Sequence, residues 1–211
     1  MTADYILTVF ITLITVVDPL GLIPVYLPIA ERFEKQRRKY IVWYSVGTAM
    51  IITTIFLFMG KYLFRYLHID YNAIYIVGGI LLFMIGLDMI YARPRRTKSS
   101  PEEQEEAQTQ SLQDVSVFPL AIPMLAGPGT IATVIMFSSR RDELINYVVV
   151  LGAALISLLI CAVVMIFSEK LLKIFGRTGI NVLDRVMGII LCALAVQFLI
   201  NAVTSLVKSM S

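Results

Sequence analysis

The chain has 211 residues and 23.7 kDa, is 58% hydrophobic and only 16% charged, and has a mean hydropathy of +0.80. Soluble domains are about 45–50% apolar and about 25% charged, so water cannot be the main solvent of this chain. Together with a formal net charge of only +3, this excludes a soluble enzyme, a disordered chain, a disulfide scaffold and a nucleic-acid-binding face, and leaves an all-α polytopic membrane protein.

A bilayer core takes about 20 apolar residues per helix. Six stretches meet that length: Ile6 to Ala30, Ile41 to Gly60, Tyr71 to Ala92, Val115 to Ser138, Leu144 to Ser168, and Ile180 to Val207. The N-terminus lacks the basic start of a secretory signal, so the first stretch is expected to stay in the mature protein. Between the third and fourth stretches, Arg93 to Asp114 runs from a basic patch into an acidic, Gln-rich tract without apolar period, which reads as a solvated linker. The expected division is 1–92, a cytoplasmic linker over 93–114, and 115–211. Cys161 and Cys192 fall in apolar runs and read as small buried hydrophobes.

Positive charge sets the orientation. Arg32, Lys35, Arg37, Arg38 and Lys39, then Arg93, Arg95, Arg96 and Lys98, then Lys170, Lys173 and Arg177 occupy alternate connections. The other side holds only Lys61, Arg65, Arg140, Arg141 and Lys208, so both termini are expected outside. Tyr40, Trp43, Tyr44, Tyr62, Tyr66 and Tyr147 sit near span ends, where interfacial aromatics belong.

A constant offset of 109 aligns the two halves without gaps. Pro19 falls on Pro128, Lys61 on Lys170, Gly79 on Gly188 and Leu82 on Leu191, and a polar residue recurs as Asp88 and Gln197. Three spans per copy is an odd number, so the second copy would lie inverted in the membrane. Inverted repeats about an axis in the membrane plane mark many secondary transporters. Apolar helices also match one another by chance, and that alternative stays open here.

The first and fourth stretches carry their own breaks: Asp18-Pro19-Leu20-Gly21-Leu22-Ile23-Pro24 with Pro28, and Pro119, Pro123, Gly127, Pro128 and Gly129. Each internal proline removes an amide donor and displaces the carbonyl four residues before it. Irregular backbone at membrane depth must be buried in protein or line a wet cavity. Kinked but continuous helices are the alternative. Asp18 lies about 18 Å from either end of its stretch, close to the bilayer centre. A carboxylate there costs about 2.5–3.5 kcal/mol on insertion scales, so it should face protein or water. Thr8, Thr12, Thr15 and Asp18 share one helical face. Capping of the following half-helix would also explain Asp18.

Gln197, Asn201 and Thr204 form a polar stripe toward the outer end of the last stretch, read equally as a vestibule or as helix–helix hydrogen bonding. Gly78, Gly79, Gly86 and Gly188 suit close helix approach. His68 is the single histidine, and there is no metal-spaced Cys/His cluster, no G-x-S-x-G and no Walker motif. An enzyme, a resident cofactor and ATP as energy source are therefore not expected.

The two segments from Asp18 to Pro24 and from Pro119 to Thr130 resemble the paired signatures of the MarC family of six-span membrane proteins, grouped with SnatA-type neutral amino acid transporters. The resemblance covers essentially the whole chain. It implies carriage of small neutral amino acids such as glycine and alanine across the cell inner membrane, coupled to Na+ or H+. The site expected on these grounds has the amides of Gly21, Leu22, Gly129 and Thr130 facing a carboxylate. The carbonyls of Thr15, Leu20 and Met124, with Asp18 and the Thr130 hydroxyl, would meet an ammonium group or a coupling cation. Gly127 leaves room beside them, and Pro19, Pro24, Pro123 and Pro128 set the breaks. An efflux carrier and an uncoupled channel remain the rival readings, and a homo-oligomer is left open.

Overall fold

The computed structural model describes residues 2–91, 114, 116–139 and 143–210. The described residues are helical almost throughout. α1 (Ala3–Val17) ends where Asp18 adopts a left-handed conformation, φ 52° and ψ 78°. Aspartate tolerates this region far better than branched residues do. After a turn, α2 (Ile23–Ala30) starts with Pro24 in its first turn, where the missing amide costs nothing. α3 (Lys35–Tyr66) follows, then a turn at His68, φ 54°, and α4 (Tyr71–Ile90), capped by Asp70 Oδ1 accepting from the Asn72 amide at 2.7 Å.

The second half opens on a loosely wound segment, Ser116–Leu125. Phe118 and Ile122, each preceding a proline, are extended there, because the proline ring disfavours helical backbone in the residue before it. α5 (Pro128–Ser139) begins on its proline, α6 (Leu144–Ile166) follows, and α7 (Ser168–Met210) turns sharply at Gly176, φ 64° and ψ 173°.

α4 and α7 form the most extensive helix pair. Glycine makes it possible: a Cβ on Gly86 would lie 2.9 Å from the Gly188 carbonyl oxygen, and one on Gly79 would lie 3.1 Å from that of Ala195. Adding 109 converts 79 into 188 and 86 into 195, so exchanging the halves carries one contact onto the other. Between them the Cys192 thiol donates to the Phe83 carbonyl at 3.7 Å, across a sequence separation of 109. Positions related by the offset of 109 thus meet across this helix pair.

The second, third, fifth and sixth stretches are helices of spanning length, and the first and fourth are broken as their sequences predict: the fourth is two pieces bent by 51°, the first the short α1 followed by α2. The cause is local backbone chemistry, prolines in the fourth stretch and the left-handed Asp18 in the first. The connection expected to carry Lys170, Lys173 and Arg177 is instead helix up to Gly176, because Ser168-Glu-Lys-Leu-Leu-Lys-Ile-Phe contains no breaker. Likewise Lys35 to Lys39 are the first turns of α3. The expected linker, apart from Asp114, lies outside the described residues, as do Arg140 and Arg141.

Candidate functional site

The two breaks pack against each other. Val17, Leu22 and Tyr26 from the first half share one buried cluster with Leu120, Ala121, Met124, Leu125 and Ala126 from the second. A Cβ on Gly129 would lie 2.4 Å from Ile85 Cδ1 and 3.1 Å from Val16 Cγ1, so the space this glycine leaves is filled by α4 and α1. At Gly127 a Cβ would fall 2.1 Å from the Pro123 carbonyl oxygen. That glycine is required by its own backbone turn.

Asp18, Thr15 and Thr130 are each 2% exposed. The Gly21 amide donates to Asp18 Oδ1 at 3.2 Å, so the carboxylate folds over the turn that follows it. It does not act through the N-cap position of α2, which is Leu22 and has no side-chain cap. The threonine stripe turns onto its own helix: Thr8, Thr12 and Thr15 donate to the carbonyls of Asp4, Thr8 and Ile11. Thr130 donates to the Leu125 carbonyl at 3.0 Å, across the second break. The Leu20 carbonyl accepts from the Ile23 amide at 3.1 Å. The structure thus brings together Thr15, Asp18, Leu22, Met124, Gly127, Gly129 and Thr130 in a closed junction, with Pro19, Leu20 and Gly21 half-exposed at its rim. Pro24 and Pro128 face outward, and Pro123 is half-buried.

The ends of the molecule differ. At the end holding Tyr5, four aromatic rings pack edge to face: Tyr5 on Phe137 at 6.2 Å, Phe137 on Phe198 at 5.7 Å, and Phe198 on Tyr75 at 6.3 Å. Asn146, fully buried, accepts from the Tyr5 hydroxyl at 2.7 Å and donates to the Phe137 carbonyl at 2.9 Å. This end is sealed. At the other end, two cavities of about 210 and 350 Å³ flank α2. Tyr26, Lys35, Arg38 and Glu169 line the smaller, where Arg38 and Glu169 pair at 2.5 Å, and Glu31, Arg177 and Asn181 line the larger.

Sequence reasoning did not single out the seal. Asn146, one amide within the apolar run of α6, was the available signal. Asn201 accepts from the Gln197 amide at 3.0 Å, and Thr204 donates to the Ile200 carbonyl, both on the exposed side of α7. The described residues hold no group of three or more His, Cys, Asp or Glu able to bind a metal.

Residues 3–207 match the MarC family of integral membrane proteins. The chain belongs to the MarC family. It is therefore an integral multi-pass membrane protein. A UPF0056 membrane protein of Buchnera aphidicola is 34% identical over 202 residues, 95% of this chain and 96% of that one. One of Aquifex aeolicus is 33% identical over 199 residues, covering 94% and 92%, and one of Methanocaldococcus jannaschii is 30% identical over 202 residues, covering 96% and 88%. No solved structure matches. The match spans both breaks, so the junction around Asp18 belongs to the family region of this MarC protein.

Proposed function

We propose that this MarC protein is a secondary carrier of small neutral amino acids in the inner membrane, working by alternating access. One observation carries the reading: two broken crossings meet around a buried carboxylate, with a packed aromatic cluster toward one end of the molecule and two cavities beside α2 at the other. Rigid kinked rods would need neither the Asp18 turn nor the asymmetry of the ends. Because protein fills the space beside Gly127 and Gly129, any substrate that enters when the junction opens must be small.

By the positive-inside rule the end bearing Arg32, Lys35, Arg37, Arg38 and Lys39 faces the cytoplasm, so the open cavities are inward and both termini outward. Asp18 is the coupling group. Neutralised by H+ or by a bound Na+, its carboxylate releases the Gly21 amide, and the α1–α2 turn is free to change. The half-helix that follows then offers its unpaired amides and positive dipole end to the substrate carboxylate.

Proteoliposomes test this. Labelled glycine should accumulate above equilibrium under an H+ or Na+ gradient. Asp18→Asn, which keeps the left-handed backbone but not the charge, should reduce accumulation by about tenfold or more. Uptake that never exceeds equilibrium would make the protein a channel, and equal accumulation by Asp18→Asn would remove Asp18 from coupling.

A further inference from the structure

The larger cavity beside α2 contains two charges that local structure does not explain. Glu31 directly follows α2, at the negative end of that helix's dipole, where a carboxylate is disfavoured. Arg177 directly follows the turn at Gly176, at the positive start of the second part of α7, where a cation is disfavoured. Neither side chain makes an ion pair or hydrogen bond with any described residue, although both line one cleft of about 350 Å³. Asn181, one turn beyond Arg177, adds an amide that can both donate and accept. The remaining wall is apolar, formed chiefly by Ile23, Leu27 and Ile180.

We propose that this cleft is a receiving site for a free amino acid in its zwitterionic form, at the mouth of the pathway. A guanidinium binds a carboxylate through two parallel N–H donors, and a carboxylate accepts from an ammonium group. An anion alone would meet Glu31, and a cation alone would meet Arg177. A molecule carrying both charges on groups bonded to one carbon satisfies both side chains at once. The apolar wall then takes an uncharged side chain, and the volume suits one residue rather than a peptide. This site rests on the carrier reading for its purpose, but occupancy of the cleft is measured without transport.

The experiment places a single reporter thiol in the cleft, Leu172→Cys in a Cys161→Ala, Cys192→Ala background, with the exposed Pro28→Cys in the same background as a second reporter. The protein is held in nanodiscs and its maleimide labelling rate is measured. L-Alanine and L-leucine should slow labelling about fivefold or more at saturation. N-Acetyl-L-alanine and L-alaninamide, each lacking one charge, should not. Glu31→Gln or Arg177→Gln should abolish protection, and the exchange Glu31→Arg with Arg177→Glu should restore it. Asp18→Asn should leave protection intact while lowering accumulation, so unchanged accumulation with preserved protection refutes coupling at Asp18 and not the cleft. Equal protection by the blocked and free amino acids, or protection that survives both charge variants, overturns the proposal. So does the absence of protection at tens of millimolar alanine.

Discussion

α2 and α5 occupy equivalent places in the two halves and have opposite surroundings. Val134, Ile135, Met136, Phe137 and Ser138 of α5 are all buried, whereas α2 exposes Pro24 and Pro28 and has a cavity on either side. One pair of positions makes the contrast concrete. A Cβ on Gly60 would lie 2.6 Å from Ile135 Cγ1, so α3 and α5 are jammed together at the sealed end. Adding 109 to 60 gives 169, and subtracting it from 135 gives 26: Glu169 and Tyr26 line the open cavity instead. Two chemically similar halves thus hold two packings at once. A molecule that exchanged them would open the sealed end and close the other, at modest cost wherever the same contacts are remade elsewhere.

The largest expected effect comes from breaking the seal. Asn146→Ala leaves the Tyr5 hydroxyl and the Phe137 carbonyl without their buried partner. Each buried hydrogen bond lost costs about 1–3 kcal/mol. The melting temperature in detergent should fall clearly, and a thiol introduced beside Phe198 should become reactive from the terminal side. Tyr5→Phe removes only the hydroxyl and should cost about 1 kcal/mol. If Asn146→Ala melts like the parent chain, the seal is not what holds α5 in place.

A paired substitution sharpens the comparison at the equivalent positions. Gly60→Ala forces a methyl against Ile135 and should destabilise by about 1–3 kcal/mol. Glu169→Ala, at the matching place on the open side, removes only the half-exposed ion pair with Arg38, and should cost less than about 1 kcal/mol. Equal losses at the two positions would mean that the ends differ in shape but not in packing.

The breaks themselves were legible because proline and glycine act through covalent geometry, which needs no knowledge of neighbours. The glycines at 79, 86 and 188 were legible for a related reason, since only a missing side chain allows α4 and α7 to approach so closely. The helical run 168–175 was hidden by its charges: Lys170 and Lys173 read as a connection, yet nothing in that run prevents a helix, and the chain turns only at Gly176. The seal and the cavities were hidden more deeply. Two halves of weakly matching sequence take two arrangements at their ends, and pattern along the chain does not state which half is packed tightly. Glu31 and Arg177 illustrate this, being ordinary loop-side charges until α2 and α7 place them in one cleft.

The smallest expected change concerns a hydroxyl. Ser157 on α6 is fully buried and its Oγ has no hydrogen-bond partner among the described residues. The next residue, Leu158, belongs to the cluster that contains both breaks. A buried hydroxyl without a partner costs about 1–3 kcal/mol, so it works against the fold that contains it. Ser157→Ala should therefore leave the melting temperature unchanged or raise it slightly. If the hydroxyl serves the junction, substrate accumulation should fall in the same variant. A rise in stability with a loss of transport separates a polar group kept for its ligand from one kept for packing, because no structural role moves the two measurements in opposite directions. Unchanged transport would instead place Ser157 outside the pathway and confine the site to the two breaks.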